Sequence, residues 1–247
     1  MASIDPGSSL LIIDRRFAML ENQLLFIILS EIAIAVSLAI ALFMESSSWS
    51  VKALAPQDRV GMFISRANIY LYSARFFVLI FSSGLAFYIE RNQPSSDVAF
   101  LISASLALAA ILQLVLLTNN PIGRNVVRLI ARCLFLDISA APLKERHHTS
   151  ELGLTYLTAM TAFVFGVGAG APLLLASLLP DYRLSISYTG QIINSFGMLL
   201  LLFVVDQRLY RYMDHGNLHA YIDEFTWGRA WGFMLAALMF LVAWAVI

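Results

Sequence analysis

The chain has 247 residues, of which 60% are hydrophobic and only 13% charged, with a formal net charge of zero. Soluble domains are about half apolar and about a quarter charged, so too little charge is present here to cover a water-facing surface around such a core. Electroneutrality also argues against a nucleic-acid partner, and a single cysteine, Cys133, excludes an internal disulfide.

Met1 to Leu10 lack a basic region and run into Asp14-Arg15-Arg16, so no cleavable signal peptide is expected. Residues 9–13 are apolar but short, and read as an interfacial or partly inserted lead-in helix. A membrane-crossing helix needs about 20 mostly apolar residues. Six stretches qualify: 23–44, 69–89, 98–118, 154–179, 185–206 and 225–247. The expected fold is therefore all-α, a polytopic membrane protein with about six transmembrane helices, residues 1–247 forming a single integral membrane domain. Trp227 and Trp231 suit an interfacial belt at the start of the last span.

The connections differ in character. Residues 45–60 read as a polar loop, with Ser46-Ser47-Ser48, Pro56 and Asp58-Arg59, and residues 90–97 as a short turn with Pro94. In residues 122–135, Arg124, Arg128 and Arg132 recur every fourth residue, opposite Val126, Val127, Leu129, Ile130, Cys133 and Leu134. That is a basic amphipathic helix suited to a membrane surface and to anionic lipids. Residues 180–184 form a tight turn.

Lys and Arg set the expected orientation. Arg15, Arg16, Arg91 and Arg183 fall on one side. Lys52, Arg59, Arg66, Arg124, Arg128, Arg132, Lys144, Arg146, Arg208 and Arg211 fall on the other. The second group is larger, so its three loops should be cytoplasmic and both termini should face outward.

Charges at membrane depth cost about 2.5–3.5 kcal/mol each on insertion scales, and so normally have partners or a purpose. Glu31, Arg75, Asp206 and Arg229 fall within or at the ends of expected spans. Glu31 with Arg75, and Asp206 with Arg229, are the opposite-charge pairs available. On the fifth span Ser187, Tyr188, Gln191, Asn194, Ser195 and Asp206 share an arc of about 120° at 100° per residue. Ser65, Asn68, Tyr72, Arg75 and Ser82 form a second stripe on the second span. Two such stripes point to a hydrated cleft, with Asn194, Asp206 and Arg229 lining it between the fifth and sixth helices; interhelical glue is the alternative. Gly166 and Gly170 give a small-xxx-small spacing for close helix packing, with a helix broken at Pro172 as the other reading.

Enzyme signals are sparse. His147 and His148 are adjacent and diverge, and His215 and His219 have metal spacing without a further cluster. No phosphate-cradling loop is present, so ATP hydrolysis is not expected. The chain reads as a non-enzyme without cofactor or metal.

Three C-terminal runs carry a family resemblance: GVGAGAPLLLASLLPDYR from Gly166, QIINSFGMLLLLFVVDQRLYRYMDHG from Gln191 and GRAWG from Gly228. Over residues 150–247 this resembles the Amj family of bacterial lipid II flippases. The matching positions are Pro180 and Arg183, Ile193 and Asn194, Val205 and Asp206, Asp214 and Gly216, and Arg229 with Gly232. The resemblance implies movement of an undecaprenyl-pyrophosphate-linked peptidoglycan precursor across a bacterial inner membrane without ATP hydrolysis. Arg66, Arg75, Arg183 and Arg229 are then candidate phosphate contacts, since guanidinium matches phosphate oxygens. Gln191 and Asn194 are candidates for sugar or peptide groups. A noncatalytic subunit of a larger complex is the main alternative. A lipid-modifying enzyme using Asp206, Asp214 and His215 is the third.

Overall fold

The computed structural model describes residues 6–91, 93–118, 120–137 and 152–247, with side chains described from Leu25 onward except at positions 26, 187, 189, 191, 194 and 198. His147, His148, Lys144 and Arg146 lie outside the described residues. Eight α-helices account for nearly all of what is described: α1 (Pro6–Lys52), α2 (Val60–Glu90), α3 (Ser95–Val115), α4 (Pro121–Cys133), α5 (Leu152–Leu178), α6 (Arg183–Leu200), α7 (Gln207–Asp214) and α8 (Leu218–Val246). No strand occurs among the described residues.

Local chemistry sets the breaks. Pro56 follows α1, and the residue before a proline disfavours helix. Pro94 precedes α3 and Pro121 opens α4, where the Asn120 side chain accepts from the Ile122 N–H at 3.1 Å. α7 ends at Gly216, whose φ of +70° is a left-handed backbone that favours glycine.

Five helices are long and apolar enough to cross a membrane: Ile27–Lys52, Gln57–Glu90, Ser95–Val115, Leu152–Leu178 and Leu218–Val246. With the wholly helical architecture, they make this an all-α polytopic membrane protein. The sixth expected crossing, 185–206, does form helix, as α6 followed by a π-helical turn over Leu201–Asp206 and then α7. It is not among the five apolar helices, and its polar residues Ser185, Ser187, Gln191 and Asn194 account for the difference. It lies antiparallel along α5. A Cβ on Gly190 would meet the Pro172 ring, and one on Gly197 would meet the Phe165 backbone.

The helices form a bent row in the order α2, α1, α3, α8, α5, α6. The tightest seam joins α5 and α8. A Cβ on Gly228 would lie 2.5 Å from the Thr155 carbonyl oxygen, and one on Gly232 2.3 Å from that of Ala159. Gly166 and Gly170 face Ala236 and Phe240 across the same seam. The small-residue spacing thus serves close packing, and α5 runs unbroken through Pro172. Among the described residues α2 also meets α5, the fifth helix of the row, while α6 packs on α5 alone and meets none of α1, α2 and α8.

α1 departs most from expectation. It continues through 45–52, the segment expected to begin a loop, and its first turns absorb the expected lead-in at 9–13. At 1.5 Å per residue its 47 residues extend about 70 Å, more than twice a ~30 Å hydrocarbon core.

α1 and α2 run antiparallel, with Ser47 bonded to Tyr70 near one end and Gly84 against Ile34 near the other. This register overturns the expected Glu31–Arg75 pair. Tyr88 donates to Glu31 at 3.0 Å. Arg75 is thirteen residues from Tyr88, about 20 Å along the helix.

α4 docks by Gly123, Val127 and Ala131, while Arg124, Arg128 and Arg132 are exposed as expected. Leu129 and Cys133, of the apolar set opposite the arginines, are exposed as well.

Candidate charged site at one end of the bundle

Helix direction gathers the C-terminal ends of α1, α3 and α6 with the N-terminal ends of α2, α5 and α8. Lys52, Arg59, Arg66, Arg124, Arg128, Arg132, Arg208 and Arg211 therefore share one end of the bundle, and Arg91 and Arg183 lie at the other. The side chains that pack this first end include Trp49, Leu154, Val205, Leu209 and Phe225.

Within that packing lie four charged side chains from three segments. Arg229 of α8 makes a bidentate pair with Glu45 of α1, Nη1 to Oε1 at 2.9 Å and Nη2 to Oε2 at 3.0 Å. The two side chains are 3% and 18% exposed, so the pair is largely desolvated. Phe225 and Phe233, one turn either way on α8, hold their ring centres 5.7 and 5.0 Å from the guanidinium carbon. Lys52, two turns beyond Glu45 on α1, is 2% exposed. Its Nζ lies 4.0 Å from the Trp49 ring centre and 5.6 Å from that of Tyr210. No carboxylate comes within ion-pair distance of it among the described residues. Asp206, the last residue of the π turn, acts electrostatically on Lys52 and in turn feels Glu45, Lys52 and Arg229.

These four side chains are two acids and two bases and balance one another, while the buried Asp223 of α8 accepts from the Thr118 N–H and hydroxyl. Neutrality is what a low-dielectric site demands, because an uncompensated buried charge costs several kcal/mol, of order ~3–5 when its partner is removed. Hydrogen bonding is less complete than charge balance. Asp206 Oδ1, Arg229 Nε, Ser46 Oγ and Ser50 Oγ are buried without a protein partner. Buried polar atoms are almost always bonded to protein or water, so Asp206 Oδ1 and Arg229 Nε leave unused hydrogen-bonding capacity within the charged cluster. The π turn adds to this reading: such one-turn widenings recur at functional sites, and this one ends on Asp206.

The expected site residues are dispersed. Arg229 acts electrostatically on Asp206, but its ion pair is with Glu45. Arg66 donates to the Leu134 carbonyl at 2.9 Å and to that of Phe135, securing the C-terminal end of α4. Arg75 is exposed partway along α2. Arg183 sits at the opposite end and donates from Nε to the Ala176 carbonyl at 3.3 Å. It is 23 residues from Asp206, about 35 Å along nearly continuous helix. Gln191 and Asn194 are on α6, and their side chains lie outside the description. Because α6 and α8 do not touch, the expected cavity between them is not formed by those two helices facing one another.

Glu45 and Lys52 are the members that sequence reasoning missed. Glu45, Trp49 and Lys52 have i, i+4, i+7 spacing, one helical face, which becomes visible once α1 is carried on to Pro56. No group of three or more metal-binding side chains occurs among the described residues, and His215 Nδ1 is bonded to the Arg211 carbonyl.

No protein-family model, curated protein or solved structure matches the chain.

Proposed function

We infer that the chain is a flippase-like lipid transporter, in which a charged headgroup reaches the Lys52–Asp206 cluster from the side of the bundle where α2 and α6 do not meet, while its tail stays in lipid. The observation that carries this reading is the buried Lys52 ammonium, lacking an ion-pair partner among the described residues, beside orphaned polar atoms of Asp206 and Arg229. A pyrophosphate would offer oxygens to the Lys52 ammonium and to Arg229 Nε, and Asp206 would accept from hydroxyl or amide groups. Apolar side chains are exposed on both elements, Tyr72, Phe76 and Leu79 on α2, Ile192 and Phe196 on α6 and Phe203 on the π turn. Such surfaces suit a lipid tail.

The Amj-like pattern in residues 150–247 supplies the substrate class, an undecaprenyl-pyrophosphate-linked peptidoglycan precursor, and with it a bacterial inner-membrane location. Arg66, engaged with α4, and Arg183, at the far end, are second to Lys52 and Arg229 as phosphate contacts in this reading. The exposed arginine row of α4 would rest on anionic lipid headgroups. The complete Glu45–Arg229 pair favours a second reading, a noncatalytic membrane subunit in which the charges only clasp helices.

Reconstitution tests the choice. Purified protein in vesicles should move a fluorescent undecaprenyl-pyrophosphate lipid between leaflets without ATP. Lys52→Met and Asp206→Asn should lower the rate per folded molecule by more than tenfold. Rates per folded molecule unchanged in both variants, or no movement by the parent chain, would reject transport at this site.

A further inference from the structure

At the end of the bundle remote from Asp206, a groove of about 230 Å³ opens between α1 and α2. α1 and α2 meet at Gly84, where a Cβ would lie 2.7 Å from Ile34 Cγ1. Around this contact Ile27, Ala33, Ile80 and Phe87 build a hydrocarbon wall. Arg91 and Gln93 stand at the mouth, with the Arg91 guanidinium carbon 4.5 Å from the Phe87 ring centre.

Length and charge narrow the occupant. From Ile80 to Arg91 is eleven residues, about 16 Å along α2. That is roughly half of a ~30 Å hydrocarbon core, the reach of one leaflet. The mouth is not simply basic. Glu90 is exposed beside Arg91, Glu31 accepts from Tyr88, and Asp97 in the first turn of α3 acts on the same Tyr88 hydroxyl. One guanidinium at the mouth, with three carboxylates just outside the groove lining, disfavours a headgroup that is only anionic. It favours one that carries a phosphate and an ammonium together.

We propose that this groove binds one acyl chain of a phosphatidylethanolamine-type lipid, with the lipid phosphate on Arg91 and its ammonium facing the Glu31, Glu90 and Asp97 carboxylates. The site is distinct from the charged pocket at the other end and does not depend on the transport reading.

Native mass spectrometry tests it. The full chain is extracted from vesicles of equal phosphatidylethanolamine, phosphatidylglycerol and phosphatidylcholine, and the retained lipid is counted. Phosphatidylethanolamine should be enriched roughly fivefold over phosphatidylglycerol, the factor that one exposed charge pair supplies. Ala33→Phe, which fills the groove, should abolish retention. Val242→Phe, which adds the same ring to the exposed surface of α8, should not. Arg91→Gln should remove the headgroup preference with the groove intact. Retention unchanged in Ala33→Phe, or phosphatidylglycerol retained as well as phosphatidylethanolamine, would overturn the proposal. Should Ala33→Phe fail to fold, an unchanged preference in Arg91→Gln would overturn it alone.

Discussion

Cutting the Glu45–Arg229 clasp should reveal an asymmetry set by Asp206. Removing one partner of a buried ion pair typically costs about 3–5 kcal/mol, because the survivor stays desolvated and unpaired. Glu45 is 18% exposed against 3% for Arg229, so water can partly serve a stranded Glu45 but not a stranded Arg229. Taken alone, this makes Glu45→Leu the worse change. Asp206 reverses the order. Its Oδ1 is buried without a partner in the same pocket, so it can turn to Arg229 when Glu45 is gone. When Arg229 is gone, Glu45 loses its partner and Asp206 keeps only Lys52. Arg229→Met should therefore cost about 3–5 kcal/mol and Glu45→Leu about 1–3, with the double variant well below their sum. Against a typical total stability of about 5–15 kcal/mol these are large, measurable losses. Reversible unfolding in mixed micelles with increasing denaturing detergent would read them, with Asp206→Asn added to Glu45→Leu as the third arm. That combination should remove the rescue and bring the loss up to the Arg229→Met value. Additive losses, or a Glu45→Leu loss that Asp206→Asn leaves unchanged, would refute the reasoning.

Three further outcomes follow from the packing. Gly232→Ala places a methyl 2.3 Å from the Ala159 carbonyl oxygen, so it should separate α5 from α8 and lower stability by about 1–3 kcal/mol in the same unfolding assay. Arg66→Ala removes the two hydrogen bonds from Nη1 to the Leu134 and Phe135 carbonyls just past α4, and hydrogen exchange over Pro121–Cys133 should quicken about tenfold while α8 is unaffected. In a Cys133→Ser background, Arg128→Cys and Arg211→Cys should react with a membrane-impermeant thiol reagent from one side, and Arg183→Cys from the other; a common side for all three would contradict the arrangement of the helices.

The crossings were legible where apolar residues run on for a helix length, and so was the α4 arginine row. The Glu45–Lys52 segment was not, because Glu45-Ser46-Ser47-Ser48 has the composition of a loop. In the fold the Ser47 and Ser48 hydroxyls donate to the Met44 and Glu45 carbonyls one turn back, which lets the helix absorb its own polarity. Partner choice was illegible for a different reason. Arg229 and Glu45 are 184 positions apart, and their meeting depends on which helices α1 and α8 lie beside. Glu31 likewise goes to Tyr88 rather than Arg75 because the α1–α2 register, about 20 Å away from the alternative, is a tertiary property. Asp206 lay on the polar arc read from α6, but the π turn that delivers it to Lys52 leaves no mark in composition or periodicity.

The claim that a headgroup enters between α2 and α6 is most directly tested by tying these helices together. Phe76 and Phe203 are exposed, on α2 and on the π turn, each about one turn from the charged pocket toward the opposite end of the bundle. Phe76→Cys with Phe203→Cys, in the Cys133→Ser background, would be joined by a cleavable two-headed maleimide linker after reconstitution. Movement of the pyrophosphate lipid should stop on linking and return when the linker is cleaved. Movement that continues at the unlinked rate in fully linked protein would contradict lateral entry, and absence of movement before linking would contradict transport itself.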